Sequence, residues 1–239
     1  MITDKNIRIN KYLSESGLCS RREADRLIEA GKVIINGNKA VIGDKVSYGD
    51  TVELDGKAIS NTNKRIYIAY NKPVGITTTT DKRDTTNIID AVNFKDRVFP
   101  IGRLDKDSSG LIILTNDGDI VNKILRSVNQ HEKEYEVRVN KPIETSFING
   151  IKSGVPILDT VTRKCEVYPI DDYNFRIILT QGLNRQIRRM CEYFDYRVVD
   201  LKRTRIMNIK LGELPTGKYR YLNEVEFNIL NNALSGSVK

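Results

Sequence analysis

Apolar and polar positions change rhythm along the chain. Ile9, Tyr12 and Leu13 share a helical face, Gly17 closes that helix, and Ser20-Arg21-Arg22-Glu23 has the form of a capping box opening a second helix that runs to about Ala30-Gly31. Val33-Ile34-Ile35 followed by Asn36-Gly37 predicts a strand and a tight turn, with Val41-Ile42 and Val52-Glu53-Leu54 as further short strands. Asp55 to Lys64 has no apolar period and is rich in turn formers. It reads as a linker, with a boundary near residue 62 that divides the chain into 1–62 and 63–239.

Beyond it, Ile66 to Tyr70 predicts a strand, and Asn71-Lys72-Pro73-Val74-Gly75 a sharp turn. Thr77 to Thr86 is polar, with little core material, and reads as a mobile surface loop. In Phe99 to Asp119, Gly102-Arg103-Leu104-Asp105 approaches a tight turn, Ser108-Ser109-Gly110 is a second corner, and Leu111 to Leu114 is a short apolar strand closed by Asn116-Asp117-Gly118. Helical spacing predicts helices at about 118–127, 146–152, 186–194 and 225–234; strands are expected at 135–139, 163–167, 175–179 and through 198–211. The architecture expected is α+β: a small N-terminal domain, then a mainly antiparallel sheet flanked by helices.

Composition narrows the partners. The 239 residues carry a formal charge of +8, which favours a polyanion, nucleic acid first, over a membrane surface or simple solubility. Cys19, Cys165 and Cys191 stand far apart without a C-x-x-C pair and read as reduced, packed thiols. The one histidine, His131, excludes multi-histidine metal sites and H-E-x-x-H hydrolases. No Walker loop or G-x-G-x-x-G occurs. The first residues, MITDKNIRIN, lack an apolar signal core, and no run approaches the roughly twenty apolar residues of a membrane span, so a cytoplasmic protein is expected.

Phe99 to Asp119 is the segment that reads as chemistry, although spacing alone leaves Asp105 and Asp107 as solvated turn residues. Its GRLDKDSSGLIILTNDGD resembles the signature of the pseudouridine synthases, in the branch that acts on ribosomal RNA and carries an S4 domain. Three further blocks match in order: Tyr70 to Gly75, Glu132-Lys133-Glu134-Tyr135, and Gly182-Leu183-Asn184-Arg185-Gln186-Ile187-Arg188-Arg189-Met190. The resemblance implies that Asp105 is the catalytic aspartate, that Arg188 pairs with it, and that Tyr135 stacks on the uracil. Arg103 would enter the space left by a flipped-out uridine of a structured stem-loop, and Leu201 would close the pocket. Lys72, closing the sheet beside the site, and Arg185 join the substrate-binding set. In the S4 part, Arg8, Lys11, Arg21, Arg22 and Arg26 would face RNA phosphates, with a solvated amphipathic face as the alternative. Without the resemblance, Arg188 is one helix arginine among three and Tyr135 could be core.

Converting uridine to pseudouridine needs no redox change or external atom. No cofactor and no metal are therefore expected, and one ionised carboxylate beside the ribose suffices, by taking a ribose proton or by covalent attack. The Gly182 to Glu192 block looks closer to the F-type synthases, which act on 23S ribosomal RNA, than to small-subunit enzymes. A monomer is expected, ending at Lys239 without the basic tail of some relatives. The alternatives are a non-catalytic S4-type RNA-binding or ribosome-associated protein, a synthase for 16S ribosomal RNA or tRNA, and a carboxylate-pair hydrolase using Asp105 and Asp107. The last is disfavoured because side chains two apart in one loop rarely span a cleft.

Overall fold

The computed structural model describes residues 6–60 and 64–237. The chain divides into two compact units, residues 1–65 with 95–97 and residues 66–94 with 98–239. The boundary expected at residue 62 lies outside the described residues.

In the first unit β1 (Ile7–Arg8) leads into α1 (Ile9–Glu15) and α2 (Arg21–Glu29), followed by β2 (Val33–Ile35), β3 (Asn38–Lys39), β4 (Lys45–Val46), β5 (Val52–Leu54) and β6 (Lys57–Ile59). The order β3-β2-β5-β6 forms one antiparallel sheet, and β1 pairs with β4. Ser20 Oγ accepts the Glu23 N–H at 3.1 Å, capping α2. Asn36 and Gly37, at φ +49° and +80°, make the left-handed turn that the β2–β3 hairpin requires. Ile9, Leu13, Ala24, Ile28, Val33 and Val52 pack into its core.

Two expectations fail here. Val41 and Ile42 are not a strand: Asp44 accepts the Val41 N–H at 2.8 Å, turning the chain and leaving both side chains exposed. Within the expected linker, Asp55 and Gly56 (φ +48° and +76°) return the chain along β5, so Lys57–Ile59 is a strand.

The second unit contains β7 (Tyr67–Lys72), α3 (Ile88–Val92), β8 (Phe99–Ile101), β9 (Ser109–Thr115), α4 (Gly118–Leu125), β10 (Lys133–Val139), α5 (Thr145–Ser153), β11 (Pro156–Ile157), β12 (Thr160–Val161), β13 (Glu166–Pro169), β14 (Asn174–Leu179), α6 (Gln186–Glu192), β15 (Val198–Ile206), β16 (Ile209–Lys210), β17 (Tyr219–Tyr221) and α7 (Glu224–Ala233). The main sheet runs β13-β14-β10-β15-β9-β7-β17. Its pairs are antiparallel except β9 with β15, which is parallel. Along β7 and β9 the side chains alternate between two cores: Ile68, Tyr70, Ile112 and Leu114 meet α3, whereas Ala69, Leu111 and Ile113 meet α4 and α7. Both faces are covered, which is why this strand reads as an unbroken apolar run. A third core joins Val137, Phe175 and Ile177 to Phe147 and Ile151 of α5 and Met190 of α6.

The threonine-rich stretch departs from the expected loose loop. Thr78 is buried, and its hydroxyl donates to Leu104 O at 2.8 Å and accepts Leu104 N–H at 3.2 Å. Hydroxyls thus satisfy the backbone of the Asp105 loop, and no apolar content is needed. The helix α3 that follows, capped by Asn87 accepting the Asp90 N–H at 2.9 Å, has too few turns to show a period.

Candidate active site

A cleft of about 560 Å³ opens in the second unit between β10, β15, the loop that precedes β9 and the start of α6. Strands β8 and β9 bracket the loop that carries Asp105, and the Ser108 N–H donates to Asp105 O at 3.1 Å to close its turn. Gly110 begins the crossing against β15: at φ +100°, a Cβ there would stand 2.7 Å from Arg203 N and closer still to Arg203 O. Only glycine permits that approach.

Five of the expected residues, Arg103, Asp105, Tyr135, Arg185 and Leu201, line this one cleft. They come from four places in the chain. Tyr135 and Arg203 are direct cross-strand partners on β10 and β15, with Leu201 two residues earlier on β15. Arg185 has φ +49° at the start of α6, and its Nη1 is 3.5 Å from Asp105 Oδ2. Arg103 is exposed at the cleft.

The expected pairing of Arg188 with Asp105 is not formed. Arg188, only 7% exposed, donates from Nη2 to Asp107 O at 3.0 Å and to Ser108 Oγ at 3.3 Å, and its ion pair at 3.3 Å is with Asp107. Its Nη1 donates to Val198 O at 3.3 Å. Asp105 pairs with Arg185 instead, and Asp107, also 3.1 Å from Arg185, joins the two arginines. Burial pushes the Asp107 carboxyl up, but the Arg185 hydrogen bond and the charges of Arg188 and Arg185 outweigh it and hold it below its usual value.

Lys72 closes the sheet as expected, but it does not join the substrate-binding set in the cleft. It is fully buried, donates from Nζ to Pro73 O at 2.9 Å and Ile76 O at 2.8 Å, and does not line the cleft. Burial pushes its ammonium down to about 8 against the opposing charges of Asp107 and Asp105. It therefore closes the sheet end rather than offering a contact to substrate.

Sequence reasoning missed Arg203 and Lys133, both in the cleft wall. The signal was there: Lys133 lies two before Tyr135, and Arg203 two after Leu201, so strand alternation puts each on the face of its neighbour. In the first unit, Arg8, Arg21, Arg22 and Arg26 are exposed and Lys11 is half-buried. Lys11 meets Glu15 at 3.4 Å and Arg26 meets Glu23 at 3.3 Å. The three cysteines are free thiols. Among the described residues, no helix is long and apolar enough to cross a membrane.

Comparison with known proteins adds a second line. Residues 66–193 match the RNA pseudouridylate synthase family, and residues 7–52 match the S4 domain. The chain is 57% identical over 239 residues to the dual-specificity RNA pseudouridine synthase RluF of Salmonella typhi, covering 99% of this chain and 83% of that one. With the protein of the same name from Escherichia coli K12 it shares 56% identity over 241 residues, covering 98% and 83%. A crystal structure of a pseudouridylate synthase superposes with a TM-score of 0.67 at 27% identity, covering 94% of this chain and 99% of that one.

Proposed function

The chain belongs to the RNA pseudouridylate synthases, and we propose that it isomerises a uridine of 23S ribosomal RNA with Asp105 as the reacting carboxylate. The observation that carries the choice of Asp105 is its position, half-exposed and 3.5 Å from the Arg185 guanidinium, in the wall of one cleft with Tyr135 and Leu201. Arg185 sets an opposite charge beside that carboxylate and holds it at the cleft wall.

The flipped uridine enters with its base against Tyr135, whose flat ring costs little entropy to fix, and Leu201 closes the apolar side. Asp105 then meets the ribose, either taking its 2′ proton or adding to C1′. The C1′–N1 bond breaks, the base turns, and C1′–C5 forms, so every atom is retained. Arg103, exposed at the mouth, restacks in the space the nucleotide leaves. Arg188 acts at one remove, fixing Asp107 and Ser108 and through them the Asp105 loop.

RNA binding outside the cleft falls to the S4 domain, through Arg8, Lys11, Arg21, Arg22 and Arg26. The enzyme works as a monomer in the cytoplasm, on a stem-loop that presents the uridine. Mapping pseudouridines in 23S, 16S and transfer RNA from cells with and without the gene tests the assignment. One or more sites lost from 23S and restored by the gene is the expected outcome. A loss confined to 16S or transfer RNA would replace the proposed substrate, and no loss in any would overturn the reading.

A further inference from the structure

Two cations face the cleft with no carboxylate partner among the described residues. Arg203 is 3% exposed; its Nε donates to Leu111 O at 2.7 Å and its Nη1 to Arg103 O at 3.4 Å, whereas its buried Nη2 has no hydrogen-bond partner. Leaving such a donor unpaired costs about 1–3 kcal/mol. Nη2 is enclosed as it stands, but Arg203 lies in the cleft wall with Lys133, so a turn of its guanidinium would bring that donor to an acceptor arriving with the substrate. Its Cζ stands 6.0 Å from the centroid of the Tyr135 ring. Lys133, half-buried and on the same face of β10 as Tyr135, donates from Nζ to His131 O at 3.1 Å. Burial, and then the charge of Arg203, push its ammonium down to about 8. This corner of the cleft is short of negative charge.

The proposed reaction generates that charge. Whether Asp105 takes the 2′ proton or adds to C1′, the C1′–N1 bond breaks with its electron pair on the base. The detached uracil is then an anion whose charge is shared by N1, O2 and O4. When C1′–C5 has formed, C5 gives up its proton, N1 takes one up, and the carboxylate is regenerated. Resting on the function proposed above, we infer that Arg203 and Lys133 form an anion site for the detached uracil, holding O2 or O4 while the ring turns. The contact strengthens only once the base carries charge, so it accelerates the reaction without tightening RNA binding.

Barbiturate, a planar pyrimidine anion at neutral pH, and uracil, its neutral counterpart, are the probes. Calorimetry on the full chain should show barbiturate binding about tenfold or more tighter than uracil, a difference of about 1.4 kcal/mol. Lys133→Met and Arg203→Gln should each lower the ratio by about threefold or more. With ribosomal RNA from cells lacking the gene, both should lower the single-turnover rate at saturating RNA about tenfold or more and leave RNA affinity within about twofold. Should the buried Arg203 variant not fold, the half-buried Lys133 variant decides alone. No preference for barbiturate in the wild type, or a preference kept in every folded variant, overturns the anion site and leaves the synthase reading intact. A wild type that makes no pseudouridine overturns both.

Discussion

Asp107 is gripped from two sides, by Arg185 at 3.1 Å and Arg188 at 3.3 Å, and its side chain is still 48% exposed. The pair therefore gains less than a buried one, because water screens it. Its folded carboxyl lies below the usual 3.8. A depressed acid contributes stability that is present above the unfolded value and lost as pH falls through the folded one. Asp107→Asn should thus lower the urea midpoint at pH 7 by an amount equivalent to about 1 kcal/mol, and the gap should shrink below about pH 4. Equal midpoints at pH 7 would show that the arginines do not need this carboxylate. The choice between Arg185 and Arg188 as the partner of Asp105 was not legible in the sequence. It depends on the left-handed backbone at Arg185, which turns that side chain to the loop before α6 begins.

Elements with a strong period were legible, and those held by side-chain hydrogen bonds were not. The helices α1, α2, α4, α5, α6 and α7 lie within a few residues of their expected places, as do β2, β5, β7, β10 and β14. Each has an apolar face or run that must be buried. The short α3 buries Ile88 and Val92 but, capped by Asn87, has too few turns to show a period, while the Thr77–Thr86 stretch rests on hydroxyls and backbone, and both escaped a reading based on periodicity. Val41-Ile42 misled for the opposite reason: two β-branched residues imitate a strand, but the Asp44 turn decides the backbone. The corner expected at Ser109-Gly110 is already strand, since Gly110 is the residue that lets β9 run beside β15. For the cleft, the positions of Asp105, Tyr135 and Leu201 came from recognised motifs. Lys133 and Arg203 needed only strand alternation, applied one step further than the motifs reach.

At the scale of the whole molecule, the proposed function gives holding RNA to one unit and changing it to the other. Arg21 and Arg22 stand exposed on α2 with no carboxylate partner among the described residues, and Arg26 is exposed beside Glu23. Replacing all three by Gln would remove up to three of the proposed phosphate contacts. It should weaken RNA binding, and the slope of log affinity against log salt should become shallower by about 2. The single-turnover rate at saturating RNA should be unchanged. An unaltered affinity and slope would mean that these residues are a solvated face. The proposed chemistry rests in the other unit, on Asp105, and Asp105→Asn tests it most directly. It keeps the size of the side chain, removes the proton acceptor or nucleophile, and touches no phosphate contact. Measured by single turnover on ribosomal RNA from cells lacking the gene, this variant should form no detectable pseudouridine and bind RNA within a few fold of wild type. Turnover near the wild-type rate would contradict the assignment of Asp105 as the reacting group.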